Sequence, residues 1–324
     1  MIKVFVISLL LISSLWSMAP NEYIDVKFSK ISGKFYKNGV DNKIVKDIST
    51  AKSSVHMAMY YLTNKFIAKA LIDAHKRGVE VKVVTDDKKK DSKYYKKLKK
   101  AGIDLKDDKD SKAIMHNKIL IIDSKIVWIS SANYTVYSFY RNYDNFLRIK
   151  DIEIANYYNK KFNKIYLDDS SKMRSFISID KNVEIYFSPD SNFEKRVISL
   201  IDSAKYSVNF LAFAFTNSKI AEALVLANKR GVIVRGVFDK TQNNYQKYSK
   251  YKYLKDNNLD VKLDKNRFKL HSKVIIIDEK IVVSGSYNFT KKANNKNDEN
   301  SIVIFDRDIA KKYLINFNQI YHKK

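Results

Sequence analysis

The chain has 324 residues, with 61 Lys and Arg against 35 Asp and Glu, giving a formal charge of +26. At 45% hydrophobic residues it is not a disordered polyelectrolyte, and without cysteine it has no disulfide framework, thiol nucleophile or cysteine-based metal site. The charge suits a polyanionic partner, nucleic acid or an anionic membrane. It equally suits a chain whose Lys, Asn, Ile, Tyr and Phe all come from AT-rich codons, with Lys as the default surface residue.

Residues 1–19 have the layout of a secretory signal peptide. Met1-Ile2-Lys3 is a short positive start, and Val4 to Trp16 is apolar apart from three serines. Ser17-Met18-Ala19 supplies small residues, although Pro20 is awkward directly after a cleavage point. The apolar run is shorter than the roughly 20 residues that span a bilayer. An exported protein, periplasmic or secreted, is the expectation.

Beyond it the pattern alternates. A short helix near residues 44–51 precedes an apolar strand over 55–62. A helix over 64–77 carries Ile67, Ala70, Leu71 and Ala74 on one face, with Gly78 where a C-terminal cap belongs. A strand over 79–85 and a Lys-rich helix over 92–101 follow. Residues 114–123 and 126–129 are β-branched and strand-like, and a helix over 152–166 closes the set. After a short, Gly-poor junction at 168–181, the same order restarts at Val183.

The restart is a true internal repeat. Ala51-Lys52-Ser53-Ser54-Val55 matches Ala204-Lys205-Tyr206-Ser207-Val208, and Thr63-Asn64 matches Thr216-Asn217. Lys76-Arg77-Gly78-Val79 matches Lys229-Arg230-Gly231-Val232, and Asp86 matches Asp239, all at an offset of 153. Alternating elements argue an α/β sheet with helices on both faces, present twice.

The chemistry sits late in each copy. His116-Asn117-Lys118 leads to Asp123, and His271-Ser272-Lys273 leads to Asp278, both reading H-x-K-x-x-x-x-D. Residues two apart in a strand share a face, so imidazole and ammonium stand together and suit attack on a phosphate and its retention. Asp123 and Asp278 lie an odd number of residues from the histidines, so they are expected to be buried structural carboxylates. Ser131 and Asn133, like Ser286 and Asn288, are two apart and positioned to line the site. Asp144 lies 28 residues after His116, and Glu299 lies 28 after His271. These carboxylates fit as histidine orienters, fixing the tautomer and raising the basicity of the free nitrogen. His56, His75 and His322 lack such context. No third matched histidine and a lysine beside each histidine disfavour zinc.

These residues resemble the paired H-x-K-x(4)-D motifs of the phospholipase D superfamily. The Gly285-Ser286-Tyr287-Asn288 follow-on strengthens the resemblance, which covers nearly all the chain after residue 19. Ser130 departs from it, standing where the family usually has Gly. The resemblance implies an α/β/α sandwich of two pseudosymmetric halves, residues 20–168 and 169–324, around one shared active site. It implies a monomer with an internal pseudo-dimer, no obligate protein partner and no cofactor or metal. It further implies two-step phosphodiester exchange through a phosphohistidine, with His116 as nucleophile and His271 as acid. Lys118, Lys273, Asn133 and Asn288 would hold the non-bridging oxygens.

A phospholipid at a membrane surface is the expected substrate. The alternatives are an exported nuclease acting on DNA or RNA, a cardiolipin synthase-type phosphatidyl transfer, and a binding protein without catalysis. Two segments bear on the choice. Lys88-Lys89-Lys90 with Lys93, Lys96, Lys97, Lys99 and Lys100 is a basic cluster. Residues 245–255 interleave four Tyr with four Lys. Both suit single-stranded nucleic acid or an anionic headgroup surface, and both also suit a solvated helix face.

Overall fold

The computed structural model of the protein describes residues 23–31, 38–245 and 247–323. The export segment expected at residues 1–19 lies outside them, as does the side chain of Tyr245. The first copy runs β1 (Ile24–Phe28), α1 (Val40–Ser49), β2 (Ser54–Met59), α2 (Lys65–Lys76), β3 (Glu80–Thr85), α3 (Lys93–Lys100) and β4 (Asp104–Asp107). It continues with β5 (Lys118–Ile122), β6 (Ile126–Ser130), α4 (Val136–Tyr140), β7 (Asn145–Lys150) and α5 (Ile152–Tyr166). After β8 (Phe176–Ser178), the second copy runs β9 (Val183–Ser188), α6 (Phe193–Asp202), β10 (Ser207–Ala212), α7 (Ser218–Lys229) and β11 (Ile233–Phe238). It ends with α8 (Lys240–Tyr245), α9 (Tyr251–Asp256), β12 (Asp260–Leu263), β13 (Lys273–Ile277), β14 (Ile281–Gly285), α10 (Lys291–Asn295), β15 (Glu299–Phe305) and α11 (Arg307–Tyr321).

The two sheets share one topology. The first is ordered β1-β7-β6-β5-β2-β3-β4; the second is β12-β11-β10-β13-β14-β15-β9-β8. The β2-β3-β4 and β10-β11-β12 edges are parallel, and the remaining pairings are antiparallel. Three strands of the first copy, β1, β4 and β7, were not expected from the pattern.

Repeated sequence gives repeated local chemistry. Asn64 caps α2 by accepting from the Phe66 and Ile67 amides, and Asn217 caps α7 by accepting from Lys219 and Ile220. Gly78 and Gly231 hold φ of +85° and +88° after these helices, a conformation that costs a side chain energy and a glycine little.

Three apolar cores result. One joins α1, α2 and α3 to the outer face of the first sheet; another joins α6, α7 and α9 to the outer face of the second. The third belongs to both halves. It holds Ile119 and Phe162 of the first copy together with Phe187, Ile302, Ile304 and Phe317 of the second. Each such side chain contributes about 1.5–3 kcal/mol when fully buried, so the halves are one folded body rather than beads on a linker. The fold is an α/β/α sandwich of two pseudosymmetric halves. Among the described residues no helix is long and apolar enough to cross a membrane.

Candidate active site

The histidine motifs meet where the two sheets face each other. The expectation that His116 and Lys118 share a strand needs correction: β5 begins at Lys118, and His116 stands ahead of it. His116 is held instead by the other half, its amide donating to Asp298 O at 2.9 Å. His271 is held in mirror fashion, donating to Tyr143 O at 2.9 Å. Isolated bridges pair Met115 with Asp298 and Tyr143 with Leu270, so each motif enters the site along the opposite half. Asp86 and Asp239 fix the preceding residue, accepting from the Met115 amide at 3.2 Å and the Leu270 amide at 2.8 Å. Their match at the repeat offset was visible in the sequence; this role was not.

The carboxylate partners are exchanged between the halves. His116 Nδ1 donates to Glu299 Oε2 at 2.8 Å, and His271 Nδ1 donates to Asp144 Oδ1 at 2.8 Å. The spacing of 28 residues within a copy had paired each carboxylate with its own histidine; docking of the halves pairs it with the other. An ionised carboxylate only accepts, so the proton sits on Nδ1 and the lone pair on Nε2.

Ser131 and Ser286 also need correction, from phosphate contacts to supports. Their hydroxyls donate to Asp144 Oδ1 at 2.7 Å and Glu299 Oε2 at 2.6 Å. Asn133 and Asn288 differ: the Oδ1 of each is buried without a hydrogen-bond partner among the described residues. Lys118 and Lys273 are buried, each donating Nζ to the carbonyl of its own histidine, His116 at 2.8 Å and His271.

Aromatic rings complete each half-site and were not singled out from the sequence. Tyr60 meets His116 edge-on at 5.7 Å, and Phe213 meets His271 at 4.6 Å. The same rings lie under the ammonium groups, Lys118 at 5.8 Å from Tyr60 and Lys273 at 4.8 Å from Phe213. The two positions match at the offset of 153, which was the available signal.

Burial shapes the charges. It pushes Lys118 down to about 7 and Lys273 down to about 8, against partial support from Glu299 and Asp144. It also holds both imidazoles below their ordinary value, with the neighbouring ammoniums acting in the same sense. Burial alone would raise Asp144 and Glu299, but the histidine facing each and the nearby lysine outweigh it and hold both carboxyls low. The resting site thus keeps carboxylates ionised and imidazoles neutral, poised for a nucleophile and an acid-base group.

Asp123 and Asp278, expected to be buried structural carboxylates, are half-buried. Each takes the first position of a three-residue hairpin loop, between paired Ile122 and Ile126 or Ile277 and Ile281, with positive φ at 51° and 50°. Asp123 accepts from the amides of Lys52, Ser53 and Ser54, and Asp278 from those of Lys205, Tyr206 and Ser207. Ser130 adopts ordinary φ, whereas Gly285 sits at +139° with Asn300 O only 2.2 Å from where a Cβ would stand. The first copy therefore tolerates Ser where the second needs Gly.

Among the described residues, the carboxylates of Asp86, Asp87 and Asp108 have oxygens within 4.8 Å of one another. Asp86 spends its oxygens on the Lys88 and Met115 amides, and the second copy has Lys240 where Asp87 stands. We assign no ion to them.

The model of the family described as cardiolipin synthase, PLD-like domain, matches the chain twice, at residues 44–166 and 197–321. The chain belongs to the phospholipase D superfamily. A phospholipase D of Rickettsia prowazekii is 36% identical over 170 residues, covering 51% of this chain and 82% of that protein. A mitochondrial cardiolipin hydrolase of Xenopus laevis is 28% identical over 127 residues, covering 39% of this chain and 60% of that protein. Among solved structures, phosphatidylserine synthase of Haemophilus influenzae shares the fold with a TM-score of 0.69. It is 13% identical, covering 93% of this chain and 87% of that one. Superfamily membership and these relatives make the protein a phosphodiesterase.

Proposed function

We propose that this phospholipase D-superfamily enzyme hydrolyses phospholipid phosphodiesters through a phosphohistidine, without a metal. The observation that carries the proposal is the crossed pair of histidine-carboxylate dyads, each with a buried lysine beside it. His116 Nε2 attacks phosphorus, Glu299 stabilises the imidazolium that forms, and the phosphorus-oxygen bond to the leaving alcohol breaks. His271 gives that alkoxide its proton and then takes one from water, whose oxygen displaces His116 from phosphorus. Lys118, Lys273, Asn133 and Asn288 hold the non-bridging oxygens as charge develops. Bound phosphate supplies the negative charge that lets His271 carry its proton at neutral pH.

The relatives whose names specify lipid substrates support phospholipid as the substrate, and export through residues 1–19 would bring the enzyme to envelope lipids. One observation favours a nuclease instead. Lys89 lies 5.4 Å from Tyr60 and 5.3 Å from Tyr61, and Lys269 lies 5.5 Å from Phe213, a pairing of cation and ring that suits stacked bases.

The deciding measurement offers the mature protein, in EDTA, labelled phospholipid vesicles and single- and double-stranded DNA and RNA. We expect release of headgroup and no nucleic-acid cleavage; the reverse outcome overturns the substrate, and strong EDTA inhibition overturns the mechanism. Added primary alcohol separates hydrolysis from transfer. His116→Ala and His271→Ala should each nearly abolish turnover, with acid-labile phosphate trapped on the His271 variant and not on the His116 variant.

A further inference from the structure

The two histidines rest on supports of unlike strength. Each amide donates to a carbonyl of the opposite half, His116 to Asp298 and His271 to Tyr143, both at 2.9 Å. A lysine in turn holds the side chain of each support. Tyr143 Oη accepts from Lys323 Nζ at 2.9 Å, and Lys323 is an exposed residue at the end of the chain. Asp298 is paired instead with Lys161, whose side chain is only 5% exposed. Lys161 stands on the buried face of α5 with Tyr158 and Phe162, where an ammonium is costly unless it is paired. Both of its carboxylates come from the other half of the chain, Asp190 at 2.9 Å and Asp298 at 3.3 Å. Its Nζ also lies 5.6 Å from the ring of Phe187, in the core that the halves share. The repeat does not require this lysine: the matching position of the second copy is Asn316, and the first copy has Tyr143 where the second has Asp298.

Asp298 links this ion cluster to the chemistry. Its amide donates to Ile114 O at 3.0 Å, its carbonyl receives the His116 amide, and the next residue, Glu299, holds the His116 ring. Burial pushes the Asp298 carboxyl up, Lys161 opposes that, and Asp190 and Glu299 add to it. Fixing the Asp298 side chain to α5 therefore fixes both contacts that His116 makes with the second half. We infer that Lys161 is a positioning residue for His116, anchoring the Asp298-Glu299 pair from the opposite half and so setting where the attacking nitrogen stands. This rests on the reading of His116 as nucleophile above. Lys161 acts through Asp298, and a shift of about 1 Å in a reacting group is enough to cost about 10²-fold in rate. The acid-base histidine, His271, has only the exposed Lys323 in the corresponding place.

The test pairs hydrolysis of bis(4-nitrophenyl) phosphate, which needs no lipid, with imidazole NMR of the full chain. Lys161→Met alone leaves two carboxylates without their cation, so Lys161→Met/Asp190→Asn is made beside it to relieve that repulsion and keep the fold. In both variants kcat per folded molecule should fall about 10²-fold with KM changed by less than about twofold. The His116 ring resonances should move while those of His271 stay. Lys161→Arg keeps the charge, and the cavity of about 280 Å³ that Lys161 lines has room for the larger group, so it should recover most of the rate. Asp298→Asn should give a similar loss, and adding it to Lys161→Met should cost little more, because both break one contact. Lys164 lines the same cavity but pairs with Asp169, and Lys164→Ala should leave kcat unchanged. Unmoved kcat and His116 resonances in folded Lys161→Met/Asp190→Asn, a loss confined to KM, or full additivity with Asp298→Asn overturns the inference. Failure of the nucleophile reading shows separately, as turnover retained by His116→Ala beside His116 resonances that still respond to Lys161→Met.

Discussion

His116 takes its carboxylate from the other half of the chain: its Nδ1 reaches Glu299 Oε2 at 2.8 Å across 183 residues of sequence. Glu299 supports the imidazolium electrostatically, so Glu299→Gln should lower the His116 titration midpoint further and leave His271 unmoved. With only five histidines, imidazole NMR of the uniformly labelled protein can follow both rings. The kcat should fall by about 10²–10⁴, the range for loss of acid-base support. Movement of His271 instead of His116 would mean the dyads pair within each copy.

That crossing marks the boundary of what the sequence reveals. The repeat, the motifs and the helix caps are local, and spacing alone exposes them. Exchange of Asp144 and Glu299 is a property of docking, set by the shared core around Phe187, Ile302 and Phe317, which no spacing encodes. The serines were misread for the same reason. Ser131 shares its side of the chain with Asn133, but the buried Asp144 beside it captures its hydroxyl. The burial of the motif aspartate was not legible, because a hairpin loop and not the strand sets its direction.

Buried lysines give the pH profile an early basic limb. Lys118 and Lys273 lose their protons near pH 7 and 8 in the free enzyme, so their charge is present below those values and lost above them. We therefore expect kcat/KM to decline from about pH 7–8, well below the ordinary lysine value. Lys118→Met should lower kcat/KM and raise the His116 midpoint, since the ammonium lowers it. In the unfolded chain both lysines keep their protons to about pH 10.4, so their contribution makes stability rise across pH 7–10. A basic limb at pH 10 would show that the lysines are not depressed.

Phe213 touches His271 at 4.6 Å and also faces Lys273, so it positions two groups at once. Phe213→Ala should lower kcat by up to about 10²-fold, the scale for small misplacement of reacting groups, with KM changed far less. Phe213→Tyr should restore most of it, because Tyr60 fills the matching place beside His116. An equal loss in both variants, or a change confined to KM, would remove the positioning role.

Asp123 makes the sharpest separation of stability from chemistry. Its carboxylate gathers three backbone amides ahead of β2 and starts the β5–β6 turn at positive φ. Asp123→Ala removes the acceptor and a residue tolerant of that conformation, and should cost about 1–2 kcal/mol, as loss of a capping side chain does. Asp123→Asn keeps one acceptor oxygen and the turn preference, and should cost less. Burial opposes ionisation here, but the bonds from Ser53, Ser54 and Lys52 prevail and hold the carboxyl below its ordinary 3.8. Its stabilisation is thus present above that pH and lost as pH falls through the lower folded value. Thermal unfolding at pH 7 should separate both variants from the parent, and the gap should close as the solution is made more acid than the ordinary 3.8. Turnover per folded molecule should stay at the parental level; a loss of turnover without a fall in melting temperature would place Asp123 in the chemistry instead.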